Sequence, residues 1–165
     1  ALALACGPDL LIADEPNTAL DVTLQKQILD LIRSLVAERG MALILISHDL
    51  GVIAQNVSRM LVMYGGSVVE SGPTTTVFTR RAHPYTRGLF AARPALGAPR
   101  GVRLATIRGS VPELVDLPPG CPFAGRCAFT IDACHGTRPP ASEVERGHEV
   151  RCLRLEEITA QEVPA

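Results

Sequence analysis

Two short apolar runs on either side of an amphipathic segment constrain the fold of this chain more than any other feature. The first run, Asp9–Ala13, stops at Asp14, and the second, Met41–Ser47, stops at His48. Between them, Val22–Arg39 has its apolar residues at three- and four-residue spacing, which predicts one buried helix face. Strand, helix and strand in this order predict a right-handed βαβ crossover with two parallel strands.

The ends of the predicted helices carry suitable capping residues. Asp21 or Thr18 suits the start of the long helix, and Gly40 suits its end. Leu50–Asn56 predicts one or two further helical turns. The first third of the chain is therefore expected to be an α/β unit.

A hairpin is predicted next. Arg59–Tyr64 and Ser67–Ser71 flank the pair Gly65-Gly66, which is a signal for a two-residue turn between antiparallel strands. Gly72-Pro73 then closes the block. The predicted fold class is α/β, with parallel strands and a crossover helix, followed by a short hairpin and a small irregular cysteine-rich tail.

Charge divides the 165 residues into three blocks. Residues 1–79 have a net charge of −4, residues 80–108 carry seven arginines and no acid, and residues 109–165 have a net charge of −4. The whole chain has a net charge of −1, and 4% of its residues are aromatic. Both values argue against a nucleic-acid partner. No apolar run reaches the ~18–20 residues that a membrane helix needs. The basic block is interpreted as an exposed linker, with acidic lipid headgroups or a partner protein as the alternative.

Polar residues at the two strand ends suit nucleotide hydrolysis. Both strand ends lie at the carboxyl edge of the parallel strands, where open α/β sheets bind ligands. Asp14 at a rigid strand end can hold Mg²⁺ on phosphates, and Glu15 can orient or deprotonate water. His48 can donate a hydrogen bond to a phosphate as charge develops. Taken singly, each residue is more simply an ordinary loop acid or a surface histidine. Their joint placement, with the helix between them, favours the functional interpretation.

Three segments in this region resemble motifs of ABC-type ATPases. Leu10–Pro16 resembles the Walker B segment, Thr18–Asp21 resembles the D-loop, and Ser47–Asp49 resembles the switch-histidine segment. Their order and spacing also match. Asn17 stands where serine or threonine is usual in that family. The resemblance implies the C-terminal part of an ABC-type P-loop ATPase, with ATP and Mg²⁺ as its ligands.

The resemblance also implies a role for each matching residue. Asp14 would serve Mg²⁺, and Glu15 would be the general base. His48 would sense the γ-phosphate, and Asp21 would meet the opposite subunit of an ATPase dimer. These assignments are expectations carried over from the family.

The sequence lacks the other ATPase motifs. There is no G-x-x-x-x-G-K-[ST] phosphate loop, no Q-loop region and no LSGGQ-like signature. We therefore expect the chain to be the C-terminal part of a longer ATPase. Alone it should not hydrolyse ATP, because phosphate positioning supplies most of the catalysis of phosphoryl transfer.

Four cysteines lie within 32 residues of a proline-rich segment: Cys121, Cys127, Cys134 and Cys152. A segment without a clear helix or strand periodicity needs a covalent cross-link or a bound metal to hold its fold. Disulfides suit an oxidising compartment, whereas a Cys₄ zinc site or a [4Fe–4S] cluster suits a reducing one. The absence of C-x₂-C spacing leaves the cluster at least as suitable as zinc. His135 and His148 are possible substitute ligands or surrounding groups, and a fifth cysteine, Cys6, is interpreted as a buried small hydrophobe.

The segment His83–Leu89, together with the four-cysteine tail, resembles the C-terminal extension of oligopeptide, dipeptide and nickel importer ATPases. The expected organisation is residues 1–72 for the ATPase part, 73–108 for an Arg-rich connection and 109–165 for the four-cysteine module. The resemblance implies a second ABC ATPase subunit, two membrane permeases and an extracytoplasmic substrate-binding protein as partners. It also implies a peripheral location on the cytoplasmic face of the cell membrane, and a cysteine-bound iron–sulfur cluster in some members.

Two other functions remain open at this point. One is a soluble ABC ATPase that is not coupled to transport, and the other is a non-catalytic, truncated metal-binding subunit. Peptide is the favoured transported substrate, and nickel or another small solute is the alternative.

Overall fold

The computed structural model describes residues 2–18, 20–93 and 105–160. Ala19 of the predicted D-loop and residues 94–104 of the Arg-rich segment lie outside the described residues. The chain divides into two compact units, Ala1–Ser58 and Arg59–Ala165. The boundary expected at residue 72 lies near the end of a strand, Ser67–Pro73, in the second unit.

The first unit contains the predicted βαβ arrangement. After a 3₁₀ turn at Leu2–Leu4, its elements are β1 (Leu10–Asp14), α1 (Val22–Arg39), β2 (Ala42–Ile46) and α2 (Leu50–Asn56). Strands β1 and β2 are parallel, with Leu10 opposite Ala42 and Asp14 opposite Ile46. The predicted strands, crossover helix and parallel pairing are therefore confirmed.

The predicted helix ends are also confirmed. The carboxylate of Asp21 accepts the Leu24 N–H at 2.9 Å and begins α1. Gly40, at φ 64°, ends it in the left-handed conformation that glycine adopts without a steric penalty. At α2 the same chemistry recurs, because Asp49 accepts the Gly51 N–H at 2.7 Å.

One face of the β1–β2 pair is apolar and exposed. Alternate strand residues point to opposite faces of a sheet. Ile12 of β1 is 59% exposed, and Ile44, its neighbour across the strands, is 47% exposed. Leu10 and Ile46 on the same face are exposed as well. The unit therefore presents a row of large aliphatic side chains to solvent.

The second unit is built around a four-stranded antiparallel sheet in the order β3-β4-β6-β5. Its elements, in chain order, are β3 (Arg59–Tyr64), β4 (Ser67–Pro73), α3 (Thr74–Arg80), α4 (Pro84–Ala91), α5 (Asp132–Gly136), β5 (Ser142–Glu145), β6 (His148–Val150) and α6 (Leu155–Thr159). Two more 3₁₀ turns span Leu114–Asp116 and Ala124–Arg126.

The cysteine-rich tail is more regular than the sequence predicts. The hairpin is confirmed, with Gly65 and Gly66 at φ 52° and 72°. Strand β6 of the tail then pairs with β4 of the hairpin, with Glu70 opposite Val150. The expectation of an irregular tail is wrong here, because its strands are only three or four residues long and carry no readable alternation.

Aromatic rings and arginines organise the core of this unit. Tyr64 lies 4.7 Å from Tyr85 and 5.1 Å from Phe123, ring centroid to centroid, in edge-to-face arrangements. The guanidinium of Arg126 donates to the Tyr64 hydroxyl at 3.1 Å. It also donates to three backbone carbonyl groups, those of residues 107, 108 and 109. Arg126 thus anchors the segment that leads into the tail.

The Arg-rich segment is not simply an exposed linker. Its described part contains α3 and α4, and Pro84 occupies the first turn of α4. Arg87 is half-buried, and it donates to the carbonyl oxygens of Arg81 and Ile158 at 2.9 and 2.7 Å. The interpretation as a linker is wrong for this residue, because its guanidinium satisfies carbonyls that helix ends leave unpaired.

The expected burial of Cys6 is also wrong. Its side chain is exposed, because it follows the 3₁₀ turn at Leu2–Leu4, in which no residue is buried. Among the described residues, no helix is both long and apolar enough to cross a membrane.

Candidate functional site

Glu15 occupies an unusual backbone position directly after β1. Its φ of 46° lies in the left-handed region, which is costly for a residue with a side chain. Its N–H donates to the Ile46 carbonyl at 2.9 Å and so extends the β1–β2 pairing by one residue. The strained conformation is therefore fixed at the carboxyl edge of the two parallel strands.

The structure brings Glu15 and His48 into contact across that edge. Glu15 Oε1 lies 2.7 Å from His48 Nδ1, and it also accepts the His48 backbone N–H at 3.1 Å. The Thr18 hydroxyl donates to Glu15 Oε2 at 3.1 Å. The His48 side chain is 81% exposed, against 33% for Glu15. A carboxylate and an imidazole thus share a hydrogen bond at an edge of the sheet that is open to solvent.

Each member of this pair shifts the pKa of the other. The hydrogen bond from His48 holds the pKa of Glu15 below its usual value. The same bond to Glu15 raises the pKa of His48, and the charge of Asp49 adds to the effect. The two charged forms are therefore favoured together.

The other predicted residues of this region lie nearby but have different surroundings. Asp14 is the last residue of β1 and is exposed, so its carboxylate is available at the same edge. Asp21 is engaged as the N-cap of α1. The structure thus brings Glu15 and His48 together in direct contact, with Asp14 beside Glu15 in the chain.

The four predicted cysteine ligands line one cavity in the second unit. The cavity wall contains Cys121, Cys127, Cys134 and Cys152, together with His83, Pro84, Phe123 and Phe129. All four cysteines are free thiols. His135 and His148 are not among the residues that line it. His135 is exposed, whereas His148 is fully buried and contacts Glu70. The tail therefore contributes four sulfur atoms to the wall of this cavity, where His83 and Arg154 also lie.

Close backbone approach brings two of these cysteines together. The Gly120 N–H donates to the His135 carbonyl at 3.1 Å, and the Cys121 N–H donates to the Cys134 carbonyl at 2.8 Å. A Cβ at Gly120 would lie 2.7 Å from the His135 carbonyl oxygen, nearer than real Cβ atoms come. Only glycine therefore permits this pairing.

Burial controls the acidity of the thiols. It raises the pKa of Cys121 and of Cys127, and it raises the pKa of Cys152 to about 11. Neighbouring thiols add to the shift at each of the three. A bound cation would act in the opposite direction, since it favours the thiolate.

The four thiols form an all-sulfur donor set, which suits zinc as well as an iron–sulfur cluster. Within the described ranges, however, no group of three or more His, Cys, Asp or Glu side chains is placed so that it could hold a metal ion. The structure itself therefore favours neither zinc nor the cluster.

A buried polar network, which the sequence analysis does not predict, adjoins the cavity. Glu70 of β4 is fully buried and accepts the backbone N–H groups of Ala82 and His83, each at 2.9 Å. It also contacts His148 Nε2 at 2.8 Å. An acid that directly follows two valines in a predicted strand is the sequence signal that could have identified this residue.

Comparisons with known proteins identify the sequences that this chain resembles. Residues 69–134 match the family described as Oligopeptide/dipeptide transporter, C-terminal region. A protein of Brucella melitensis biotype 1 that is named as a peptide import ATP-binding protein is 52% identical over 97% of this chain and 49% of its own length. The oligopeptide transport ATP-binding protein of Mycobacterium tuberculosis is 47% identical over 98% of this chain and 26% of its own length. The oligopeptide transport ATP-binding protein of Bacillus subtilis is 44% identical over 98% of this chain and 49% of its own length. The chain thus spans half or less of the length of these curated relatives.

Proposed function

Because the chain belongs to the C-terminal part of the ATP-binding subunits of oligopeptide and dipeptide ABC transporters, we propose that it contributes to ATP hydrolysis that powers peptide import. The observation that carries this proposal is the contact between Glu15 and His48 at the carboxyl edge of β1 and β2. Such an edge is where α/β sheets bind phosphates and where a base can meet an attacking water.

The proposed mechanism assigns one task to each residue. Asp14, exposed at the end of β1, would hold Mg²⁺, and that ion would supply neutralisation of the phosphate charge of ATP. Glu15 accepts the proton of the attacking water as the γ-phosphoryl group is transferred. His48 then turns its imidazole from Glu15 towards the γ-phosphate and stabilises the developing charge. The high exposure of the His48 side chain leaves this rotation unobstructed.

The exposed sheet face supports a site that is completed by more protein. Parallel strands are almost always covered on both faces. Ile12 and Ile44 nevertheless lie in solvent, and the relatives are at least about twice as long as this chain. We therefore attribute the phosphate loop and the signature motif to the rest of a longer subunit, which would cover this face.

The partners and the location follow from the same family. The proposed assembly contains a second ATPase subunit that meets Asp21, two permeases and an extracytoplasmic substrate-binding protein, on the cytoplasmic face of the membrane. Peptide is supported as cargo by the names of the relatives in Brucella, Mycobacterium and Bacillus.

For the cysteines, the proposed ligand is one [4Fe–4S] cluster, with zinc as the alternative. Four free thiols around one cavity support sulfur ligation. Such a cluster would hold the tail together, because metal binding and folding are coupled in small metal-binding modules. Anaerobic purification with analysis for iron, sulfide and zinc tests this part. About four irons and four sulfides per chain support the cluster, whereas one zinc without sulfide contradicts it.

Transport is tested in proteoliposomes that contain the full-length subunit, its permeases and its binding protein. We expect ATP hydrolysis that peptide and the binding protein stimulate, and no Mg²⁺-dependent hydrolysis by the 165-residue chain alone. Hydrolysis that is indifferent to permeases would favour a soluble ABC ATPase. A full-length subunit without any hydrolysis would favour a non-catalytic, metal-binding role.

A further inference from the structure

The side chain of Arg126 makes four hydrogen bonds to two distant segments. Nε donates to the Arg108 carbonyl at 2.8 Å, and Nη2 donates to the carbonyls of Ile107 and Gly109 at 3.1 and 2.9 Å. Nη1 donates to the Tyr64 hydroxyl at 3.1 Å. Because a guanidinium holds its N–H donors in one rigid plane, these acceptors fix its position closely.

Residues 105–117, which we call the strap, also lie against α4 and the hairpin turn. A Cβ at Gly88 of α4 would lie 2.8 Å from Ile107 Cγ1. A Cβ at Gly65 of the turn would lie 2.8 Å from Leu117 Cδ2. Ile107 and Leu117 therefore pack where glycine leaves room for them, and the guanidinium bonds secure the strap beside the first of these contacts.

The backbone of Arg126 belongs to a short turn that joins two of the cysteines. The Ala124 N–H donates to the Cys121 carbonyl at 3.0 Å, and the Cys127 N–H donates to the Ala124 carbonyl at 3.3 Å. Both cysteines line the cavity. The 3₁₀ helix of this turn is only three residues long, so few hydrogen bonds of its own hold it, and their geometry is poorer than in an α-helix. An anchored side chain therefore contributes much to its rigidity.

We propose that Arg126 is a positioning residue for the thiols of Cys121 and Cys127, because its guanidinium ties the turn that carries them to the strap. This inference rests on the proposed metal site and adds to it a residue that is not a ligand. Coupling of this kind is reciprocal. A docked strap favours ligand binding in the cavity, and a ligand that holds the two thiols favours the docked strap.

Trypsin reports the state of the strap at one peptide bond. It cleaves after arginine, and the Arg108 carbonyl that accepts from Arg126 belongs to the Arg108–Gly109 bond. Cleavage requires local detachment, so its rate follows the population of the detached strap. The Arg146–Gly147 bond, between β5 and β6, is an internal reference with the same two residue types and an exposed arginine.

The test variant is Arg126→Lys in the full-length subunit, because lysine keeps the charge but has a single donor atom. We expect cleavage after Arg108 to become about 10-fold faster or more, the scale of lost charge-assisted hydrogen bonds. Cleavage after Arg146 should stay unchanged, and mass spectrometry measures both rates. Arg138→Lys is the matched control, since Arg138 is an exposed arginine of the same tail.

Metal loading tests the coupling. The reduced subunit is loaded with ferrous iron and sulfide or, separately, with Zn²⁺ alone. Loading should slow cleavage after Arg108 in the wild type, and this protection should be lost in Arg126→Lys. The variant should also release metal to a chelator about 10-fold faster, the scale of lost support around a ligand. A general loss of stability would instead change cleavage after Arg108 and Arg146 together.

Several results would overturn the proposal. One is an unchanged rate after Arg108 in Arg126→Lys, another is an equal rise after Arg146, and a third is metal protection that persists in the variant. A wild-type subunit that retains neither metal would contradict the proposed metal site alone. Iodoacetamide then decides the role of Arg126, because Cys127 should be alkylated faster in the variant, with the exposed Cys6 as reference. An unchanged alkylation rate would overturn that role.

If Arg126→Lys does not fold, Tyr64→Phe takes its place. This variant removes one of the acceptors and keeps the ring that packs against Tyr85 and Phe123. Cleavage after Arg108 should rise about 3-fold, as expected for one hydrogen bond, and cleavage after Arg146 should again be unchanged. Equal rates after Arg108 in this variant and the wild type would overturn the proposal.

Discussion

The two units differ in what they bury and what they leave in water. In the first unit the strands and the long helix are regular, yet Ile12 and Ile44 on the sheet remain about half exposed. In the second unit the strands are short, yet Val77 and Val150 are fully buried. Regular elements alone therefore do not make a closed core, because closure depends on a second layer that covers each apolar face.

The polar groups follow the opposite pattern. In the first unit Glu15 and His48 meet at an open edge, where water can reach them. In the second unit Glu70 and His148 meet with no exposed surface at all. An exposed pair can exchange partners with a ligand, whereas a buried pair mainly fixes the elements that carry it. The first arrangement suits chemistry, and the second suits positioning.

The largest expected effect tests the open unit. In the full-length subunit, Glu15→Gln should lower ATP turnover on the order of 10²-fold or more, because a general base is lost. His48→Ala should act similarly. Steady-state hydrolysis measures this, and Glu38→Gln, on the exposed side of α1, is the control. A near-normal rate in Glu15→Gln would remove this residue from the mechanism.

The next test breaks the close packing of the second unit. Gly120→Ala places a Cβ 2.7 Å from the His135 carbonyl oxygen and should cost about 3 kcal/mol, the upper range of overpacking. Gly125→Ala is the control, because nothing lies within 4 Å of its Cβ position. Urea unfolding measures both changes. Equal stability of the two variants would show that the pairing of Cys121 with Cys134 tolerates displacement.

Removing the buried carboxylate should have a somewhat smaller effect. Glu70→Gln leaves one of its backbone or imidazole donors without an acceptor, which costs about 2 kcal/mol. Amide exchange of Ala82 and His83 should accelerate accordingly. Glu145→Gln removes the exposed pair with Arg80 and should cost less than about 1 kcal/mol. Unchanged exchange at Ala82 in Glu70→Gln would contradict the role given to this network.

A still smaller effect concerns the helix cap of the first unit. Asp21→Ala removes the acceptor of the Leu24 N–H and should lower stability by ~1 kcal/mol. If Asp21 also meets a second ATPase subunit, transporter hydrolysis should fall by more than this loss explains. Asp30→Ala, which removes an exposed pair with Arg33 on α1, is the control. A matching loss of stability and activity would leave the cap as its only role.

The smallest effect is a pH shift at the open edge. Glu15 raises the pKa of His48 in the folded protein. The stability that this contact contributes is therefore fully present below 6.5, the ordinary pKa of histidine. It is lost as pH rises through the higher pKa that His48 has in the folded protein. The lowered pKa of Glu15 sets the acid limit, because the contact is lost as pH falls through that value. NMR titration of the His48 ring should show its pKa return towards 6.5 in Glu15→Gln. It should stay unchanged in Glu38→Gln, and a shift there would contradict the pairwise origin.

Local patterns were sufficient for the first unit. The spacing of apolar residues predicted α1 over Val22–Arg39, and capping chemistry predicted Asp21 and Gly40 at its ends. The two apolar runs predicted β1 and β2, and their parallel pairing followed from the helix between them. Each of these features depends on residues within a few positions of one another, so the sequence displays them directly.

The structure added contacts between distant parts of the chain. Nothing in the local sequence pairs β4 with β6, or brings Glu70 to His148, 78 residues further along. The roles of the predicted site residues stay predictions, although the structure brings Glu15 to His48 and places the four thiols around one cavity.

The sequence by itself therefore determined the elements of the first unit, the order of the motifs and the number of thiols. Only the tertiary structure decided which polar groups are buried together, which face of the β1–β2 pair stays in solvent, and that His83 lies beside the cysteines. The physical reason is the distance along the chain over which each interaction acts. Helix and turn preferences act over three or four neighbouring residues, whereas burial and buried hydrogen bonds depend on which distant segments pack together.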